Sequence, residues 1–364
     1  MSDRNPKIFV SDCEGPISKN DNAFELAEHF ILDGANFFTL ISKYDDVLAD
    51  IIEKPGYKPG DTLKLILPFL KAYGATDEGI KEYSLKNILL VPGAYDTLQF
   101  VKEAMPSYII STSYEQYLSS LCDLTGFPYK NVYCTRLNLN KYEVSEEEIT
   151  QIRAFKEEIT AMPMIEIPPD ATSVDVFSPR DQKTMKRLDE IFWRIIPKMK
   201  AGRMLEEVNP IGGYEKANAV KDIVGKLDYS LDNVMYVGDS ITDVSPYKLV
   251  RENGGLTVSF NGNEYAVREA EVVVISGNTI PVSILAESFK RFGKDHTVKL
   301  VDEWSRPALE TYCANAELRQ RIFELYPDKL PQVEVIKNSN RERLVKESST
   351  FRKTVRGEAI GRLG

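Results

Sequence analysis

Short β-type runs that stop at an acid or a hydroxyl, with amphipathic helices between them, constrain this chain more than any other feature. Lys7-Ile8-Phe9-Val10-Ser11 halts at Asp12-Cys13-Glu14-Gly15-Pro16, which reads as a buried strand delivering a carboxylate into a loop. Tyr108-Ile109-Ile110 runs into Ser111-Thr112-Ser113, and Val234-Met235-Tyr236-Val237 runs into Gly238-Asp239. Further strands are expected at Leu256–Phe260 and Val272–Ile275, and helical patterns at Tyr95–Ala104, Tyr114–Leu124 and Tyr214–Val224 fall between the runs. Parallel strands need a helix-length crossover to bring the chain back, so this alternation implies a parallel sheet covered by helices. The fold class is α/β.

Two stretches interrupt the alternation. Residues 17–90 carry apolar residues at helical spacing, Phe24, Leu26, Ala27, Phe30 and Ile31 and then Leu63, Ile66, Leu67 and Leu70, and read as a helical insertion. Residues 141–205 read as a second, charged and largely helical one. There Ser145 with Glu148 is expected to form a capping box, and Ser178-Pro179 supplies an N-cap and a proline at the first helical position. The core is then expected from residues 1–16, 91–140 and 206–290, with 291–364 as a C-terminal extension. From Lys337 onward the chain holds eight Lys/Arg against three Glu. This tail is expected to be either a solvated, disordered end or a docking segment for an acidic protein partner.

Composition removes several functions. A net charge of -9 argues against a nucleic-acid partner, because phosphate backbones are held by basic surfaces. Apolar runs such as Val272–Ile275 fall far short of the roughly 18 residues that span a bilayer. No signal-peptide core is present at the N-terminus, so a cytoplasmic protein is expected. Cys13, Cys122, Cys134 and Cys313 include no CxxC pair, and His29 and His296 are the two histidines; a zinc centre or a Ser-His-Asp triad is hard to build from these. His29, among apolar positions, is expected as a satisfied core histidine.

In an open α/β sheet the ligand lies beyond the carboxyl ends of the strands. Asp12 and Glu14, Ser111, and Asp239 with Asp243 in Gly238-Asp239-Ser240-Ile241-Thr242-Asp243 are therefore expected to converge there, with Lys216 at the start of the preceding helix. Like charges about 4 Å apart repel by about 4 kcal/mol at an effective dielectric of 20, so such acids call for a cation. Oxygen donors without His or Cys favour a hard ion, and Mg²⁺ fits best.

These residues, in this order, resemble the haloacid dehalogenase (HAD) superfamily of phosphatases and phosphotransferases. The likeness is closest to its phosphoserine phosphatase-like branch, through Leu90-Val91-Pro92-Gly93-Ala94 and Gly254-Gly255-Leu256-Thr257-Val258-Ser259-Phe260-Asn261, and it covers about half of the chain. The arrangement also resembles an archaeal group labelled energy-converting hydrogenase A subunit R. The resemblance implies a Rossmann-like core with both insertions as caps, and a Mg²⁺-dependent phosphatase acting on a small phosphorylated metabolite through an aspartyl-phosphate. It makes Asp12 the nucleophile and Glu14 the acid/base. The backbone of Cys13 with Ser111, Thr112 and Lys216 would bind the phosphoryl group, and Asp21 would touch the rest of the substrate. Asp12, Asp239, Asp243 and the Glu14 carbonyl would hold the metal.

The chain departs from the family pattern at Glu14, where the family has Asp, and at Pro16, where it usually has Thr or Val. One extra methylene displaces the acid, and misplacement on the order of 1 Å costs about 100-fold in rate. Phosphoserine phosphatases use a cap arginine for the substrate carboxylate, yet no arginine occurs between Arg4 and Arg136, so phosphoserine is not the expected substrate. Glu14, the second insertion and the basic tail support a competing reading: a weakly active or non-enzymatic accessory or regulatory protein of an energy-converting hydrogenase-type complex.

Overall fold

Among residues 6–168, 171–358 and 360–362, which the computed structural model describes, seven strands form one sheet. They are β1 (Ile8–Ser11), β2 (Ser107–Tyr114), β3 (Val132–Thr135), β4 (Val234–Gly238), β5 (Leu256–Phe260), β6 (Val272–Ile275) and β7 (Gln332–Val335). Their order is β3-β2-β1-β4-β5-β6-β7. All neighbours pair in parallel except β7, which runs antiparallel to β6 along the edge. The fold is α/β, as the alternation of elements requires. The chain winds from β1 toward β3 and then from β4 toward β7, so the order reverses between β1 and β4. At such a reversal the flanking loops diverge and leave a crevice at the carboxyl ends of the strands.

Each expected strand forms. β2 is longer than the apolar run that marks it, continuing through Ser111-Thr112-Ser113 to Tyr114, with a register shift against β3 between Ser111 and Tyr114. One face of the sheet packs Phe9, Val237, Val258, Leu285 and Phe289, and the other packs Ile8, Val10, Val220, Tyr236 and Tyr247. These strands are covered on both sides, which is why β1, β4 and β6 read as near-continuous apolar runs, while β5 buries Thr257 and Ser259 between its apolar residues.

Residues 22–87 form four α-helices, the second continuing into a π-helical turn at Val47–Ile51, and the described residues of 146–207 form three more, with a π-helical turn at Ile191–Ile195 and 3₁₀ turns between them. The two stretches share one apolar cluster, separate from those of the sheet. Phe192 sits at the junction, fully buried, with its ring centroid 6.1 Å from Tyr44 and 6.0 Å from Phe69. Beside it, Trp193 Nε1 donates to Tyr44 Oη at 2.8 Å, and Tyr44 donates to Asp189. Phe192→Ala is expected to destabilise the protein by about 3–5 kcal/mol through the lost transfer energy and the cavity left behind. Because the core is shared, hydrogen exchange should rise in 22–87 as well as around residue 192; a rise confined to the second stretch would show two independent cores.

Ser178 caps the helix Pro179–Glu190 as expected, accepting from Asp181 N. The capping box at Ser145 forms only in half. Ser145 accepts from Glu148 N at 3.3 Å, but the Glu148 carboxylate is drawn off by Lys200 N at 2.7 Å, a donor in a different segment. His29 is exposed and stacks on Tyr83 at 4.4 Å, so it is not a core histidine.

The tail is not a solvated, disordered end. Arg341–Arg356 is a 16-residue helix. It packs Leu344 against Val267, Val273 and Ile275, and Ser348 Oγ donates to Gly262 O at 2.7 Å. Leu344, Ser348 and Arg352 are spaced by four and are the helix's buried residues, one stripe of a helix docked on its own protein. Among the described residues no helix is long and apolar enough to cross a membrane.

Candidate active site

The crevice begins with the turn after β1. Asp12 N donates to Val237 O of β4 at 2.8 Å, which continues the ladder one step past β1 and fixes Asp12 beside the end of β4. Gly15 then turns the chain at φ +101°, and a Cβ there would collide with the Asp239 carboxylate. Glycine is therefore needed for both its left-handed backbone and the close approach. On the other strand, a Cβ at Gly238 would run into the Asp243 carboxylate. With hydrogen there instead, Asp243 folds back and its Oδ2 accepts from Asp239 N at 2.9 Å and Ser240 N at 3.1 Å. This explains the Gly-Asp-x-x-x-Asp spacing: the second acid cages the turn that presents the first.

Lys216, fully buried near the start of the helix Tyr214–Leu227, joins the two strand ends. Its Nζ lies 2.6 Å from Asp12 Oδ2 and 2.8 Å from Asp243 Oδ1, and the latter oxygen also accepts from Tyr236 Oη at 2.8 Å. Burial alone would lower the Lys216 pKa, but the two carboxylates outweigh it and hold the amine above its ordinary value. One oxygen each of Asp12, Asp239 and Asp243 lies within 4.8 Å of the others. Three carboxylates at this spacing, with no nitrogen or sulfur among them, fit a hard divalent cation.

A cavity of about 100 Å³ opens over these acids. Asp12, Glu14, Thr112 and Asp239 line it from the sheet side, and Asp21 and Asp45 line it from the helical segment. Of the residues singled out in the sequence, Asp12, Lys216, Asp239 and Asp243 meet directly, and Glu14, Asp21 and Thr112 share the cavity wall. Ser111 and Cys13 do not line it. Ser111 Oγ, fully buried, accepts from Ser113 N at 3.1 Å, and Cys13 N donates to Asp12 Oδ1 at 2.6 Å. Thr112 turns its hydroxyl away, donating to Ile211 O at 3.1 Å. Asp21 caps the helix Asn22–Phe30 by accepting from Phe24 N at 3.0 Å.

Burial dominates the proton affinities here. It pushes Asp12 up to about 8 against the pull of Lys216, with Asp243 and Asp239 adding to the rise. It pushes Glu14 up to about 8, reinforced by Asp21 and opposed by Asn22 N, which donates to Glu14 Oε1 at 2.6 Å. The Cys13 thiol is also pushed well up by burial, so it is a poor thiolate. Asp45 is raised to about 7 by burial, although Tyr57 Oη, Gly60 N and Thr62 N all donate to it. A carboxyl with a raised folded pKa contributes stability that is fully present below its unfolded value and is lost as pH climbs through the folded value. For Asp45 the window runs from 3.8 to about 7. Asp45→Asn is expected to show a flatter fall in stability across that window, measured as denaturant midpoints at several pH values; an unchanged slope would contradict it.

Two side chains of the cavity come from a place the motifs do not reach. Arg352 and Arg356, on the C-terminal helix, also line the cavity. Arg352 Nη1 pairs with Asp239 Oδ2 and lies 3.2 Å from Asp239 O, while Arg356 Nη1 is 3.1 Å from the same Oδ2. Arg356 is further tied to Lys19 O at 3.0 Å and to Asn20 O. The acidic group that the basic tail engages in this structure is thus the chain's own site. The available sequence signal was the four-residue spacing of Leu344, Ser348, Arg352 and Arg356, which puts both arginines in line with a buried leucine.

No protein-family model and no curated protein matches the chain. Among solved structures, a gene product of Archaeoglobus fulgidus is similar over 99% of this chain and 99% of its own, at 26% identity and a TM-score of 0.78. A substrate-bound phosphoserine phosphatase is 12% identical, covering 77% of this chain and 98% of its own with a TM-score of 0.47. A HAD family hydrolase from Salmonella enterica serovar Typhi is 12% identical, covering 73% of this chain and 67% of its own with a TM-score of 0.42.

Proposed function

We propose that the protein is a Mg²⁺-dependent phosphatase of the HAD type that hydrolyses a small phosphorylated metabolite. The observation that carries this reading is the junction of Asp12, Lys216, Asp239 and Asp243 at the ends of β1 and β4, in the order and with the spacings that resemble that superfamily. Asp12, which a divalent cation on its carboxylate would hold ionised, is the nucleophile: its oxygen bonds to phosphorus as the bond to the leaving oxygen breaks, which splits one hard displacement into two easier ones. Glu14, raised to about 8 by burial, gives its proton to that oxygen. It then takes a proton from the water that releases phosphate from Asp12. Lys216 keeps Asp12 oriented and supplies positive charge behind it. Asp12, Asp239, Asp243 and the Glu14 carbonyl would hold Mg²⁺, which when bound lets an anionic nucleophile approach an anionic phosphoryl group.

The helical stretches at 17–90 and 141–205 serve as caps, and the size of the cavity, about 100 Å³, favours a compact substrate. The test is phosphate release from a panel of phosphorylated metabolites with Mg²⁺ and with chelator. Release that depends on the metal is the expected result. Metal binding by a folded protein without turnover on any member would overturn the enzyme and favour the accessory role, with the metal site kept as a sensor.

A further inference from the structure

Arg352 and Arg356 supply cations that the proposed chemistry does not call for at Asp239. Their side chains are 3% and 5% exposed, and both guanidinium groups reach one oxygen, Asp239 Oδ2. Lys216 already neutralises Asp12 and Asp243. Every acid of the trio therefore carries a counter-cation from the chain itself, and the one on Asp239 arrives from the far end of the sequence.

A second observation concerns the rest of Arg352. Its Nε is buried and has no hydrogen-bond partner among the described residues, while the residue lines the cavity with Asp12 and Glu14. A buried guanidinium donor without an acceptor is a cost the present arrangement carries, and the planar fork suits phosphoryl oxygens once the group leaves Asp239. Among the described residues lining that cavity, the two tail arginines are the cations. Charge-assisted donors for an anion entering the cavity therefore come from them, beside the hydroxyls of Ser42, Ser240 and Thr242.

We propose that the tail arginines exchange partners as the site fills: they neutralise Asp239 while it is empty, and they become phosphoryl donors once a divalent cation takes that carboxylate. The substrate class rests on the phosphatase reading, but the exchange itself is read in binding rather than in turnover. It has two consequences of opposite sign. Two cations on a ligand oxygen oppose a divalent cation, so losing one should tighten metal binding. The same loss removes a charge-assisted donor and should weaken phosphate binding. A purely structural role for Arg352 would not move the two in opposite directions.

The experiment is calorimetric titration of the full chain with Mg²⁺ alone, and then with inorganic phosphate in saturating Mg²⁺, for wild type, Arg352→Met and Arg352→Lys, with thermal melts as a check on folding. Arg352→Met is expected to bind Mg²⁺ about tenfold more tightly and phosphate about tenfold more weakly. Arg352→Lys, which keeps the charge but not the fork, should hold Mg²⁺ affinity within about twofold and still weaken phosphate. Unchanged or weaker Mg²⁺ binding in Arg352→Met, or phosphate binding that neither substitution weakens, overturns the exchange, as does a wild type that binds no phosphate. Should Arg352→Met fail to fold, Arg352→Lys decides alone through its phosphate affinity. Phosphate release measured on the same samples separates the two claims: opposed shifts without turnover would overturn the phosphatase and leave the exchange standing.

Discussion

Asp12→Asn is expected to bring phosphate release down to background, a loss on the order of 10⁴-fold or more, because an amide oxygen is a far weaker nucleophile toward phosphorus than a carboxylate. The substitution is nearly isosteric. Cys13 N, now donating to Asp12 Oδ1 at 2.6 Å, keeps an acceptor in the amide oxygen. Lys216 loses one of its two carboxylates but retains Asp243 at 2.8 Å. The variant should therefore fold, and its melting temperature is the control. Its inactivity with an intact melt is the result consistent with covalent catalysis. Release that survives the change would mean that water attacks the phosphoryl group directly and that Asp12 serves the metal or the lysine instead.

Lys216→Met should have a large effect on stability. The side chain is fully buried between Asp12 and Asp243. A buried ion pair adds little net stability when intact, but removing one partner leaves uncompensated charge and costs about 3–5 kcal/mol. Methionine fills the space of the aliphatic stem, so the loss is electrostatic rather than a packing void. The pH dependence has a definite sign. Asp12 already sits at about 8 with the lysine pulling it down, so without the lysine its folded pKa rises further. A raised folded pKa means stability present at low pH and lost as pH climbs. Below about pH 8 Asp12 is protonated in both folded proteins, so its added penalty in Lys216→Met should be absent near pH 5 and grow as pH climbs above 8, read as denaturant midpoints. A pH-independent penalty would show that the lysine acts through packing.

Much of the frame was legible because its signals are local. β1, β4, β5 and β6 are buried on both faces, and strands in that position are mostly apolar, with Ser11, Thr257 and Ser259 as buried exceptions. β3 and β7 escaped notice for complementary reasons. Val132–Thr135 is only four residues with no motif at its end. Gln332–Val335 lies on the sheet edge with only Val333 buried, and at four residues its polar–apolar alternation is too short to stand out. Ser111 shows the limit of motif reasoning within a strand. The residue is where the order of motifs places it, but β2 continues past it, and the bulge toward Tyr114 leaves its hydroxyl bonded to Ser113 N rather than lining the cavity.

What the sequence determined by itself is the ordered set of strand ends and their acids. Gly15 and Gly238 are required by contacts with Asp239 and Asp243, and those requirements are met within a few residues of each turn or across one pair of adjacent strands. What only the tertiary structure decided is what lies over that set. The two helical stretches merge into one core through Phe192, and the C-terminal helix reaches back to place Arg352 and Arg356 on Asp239. Both outcomes join segments more than a hundred residues apart. The crossing of one packed helix over another surface is set by the whole interface, so periodicity names the buried face of each helix but not what that face will meet.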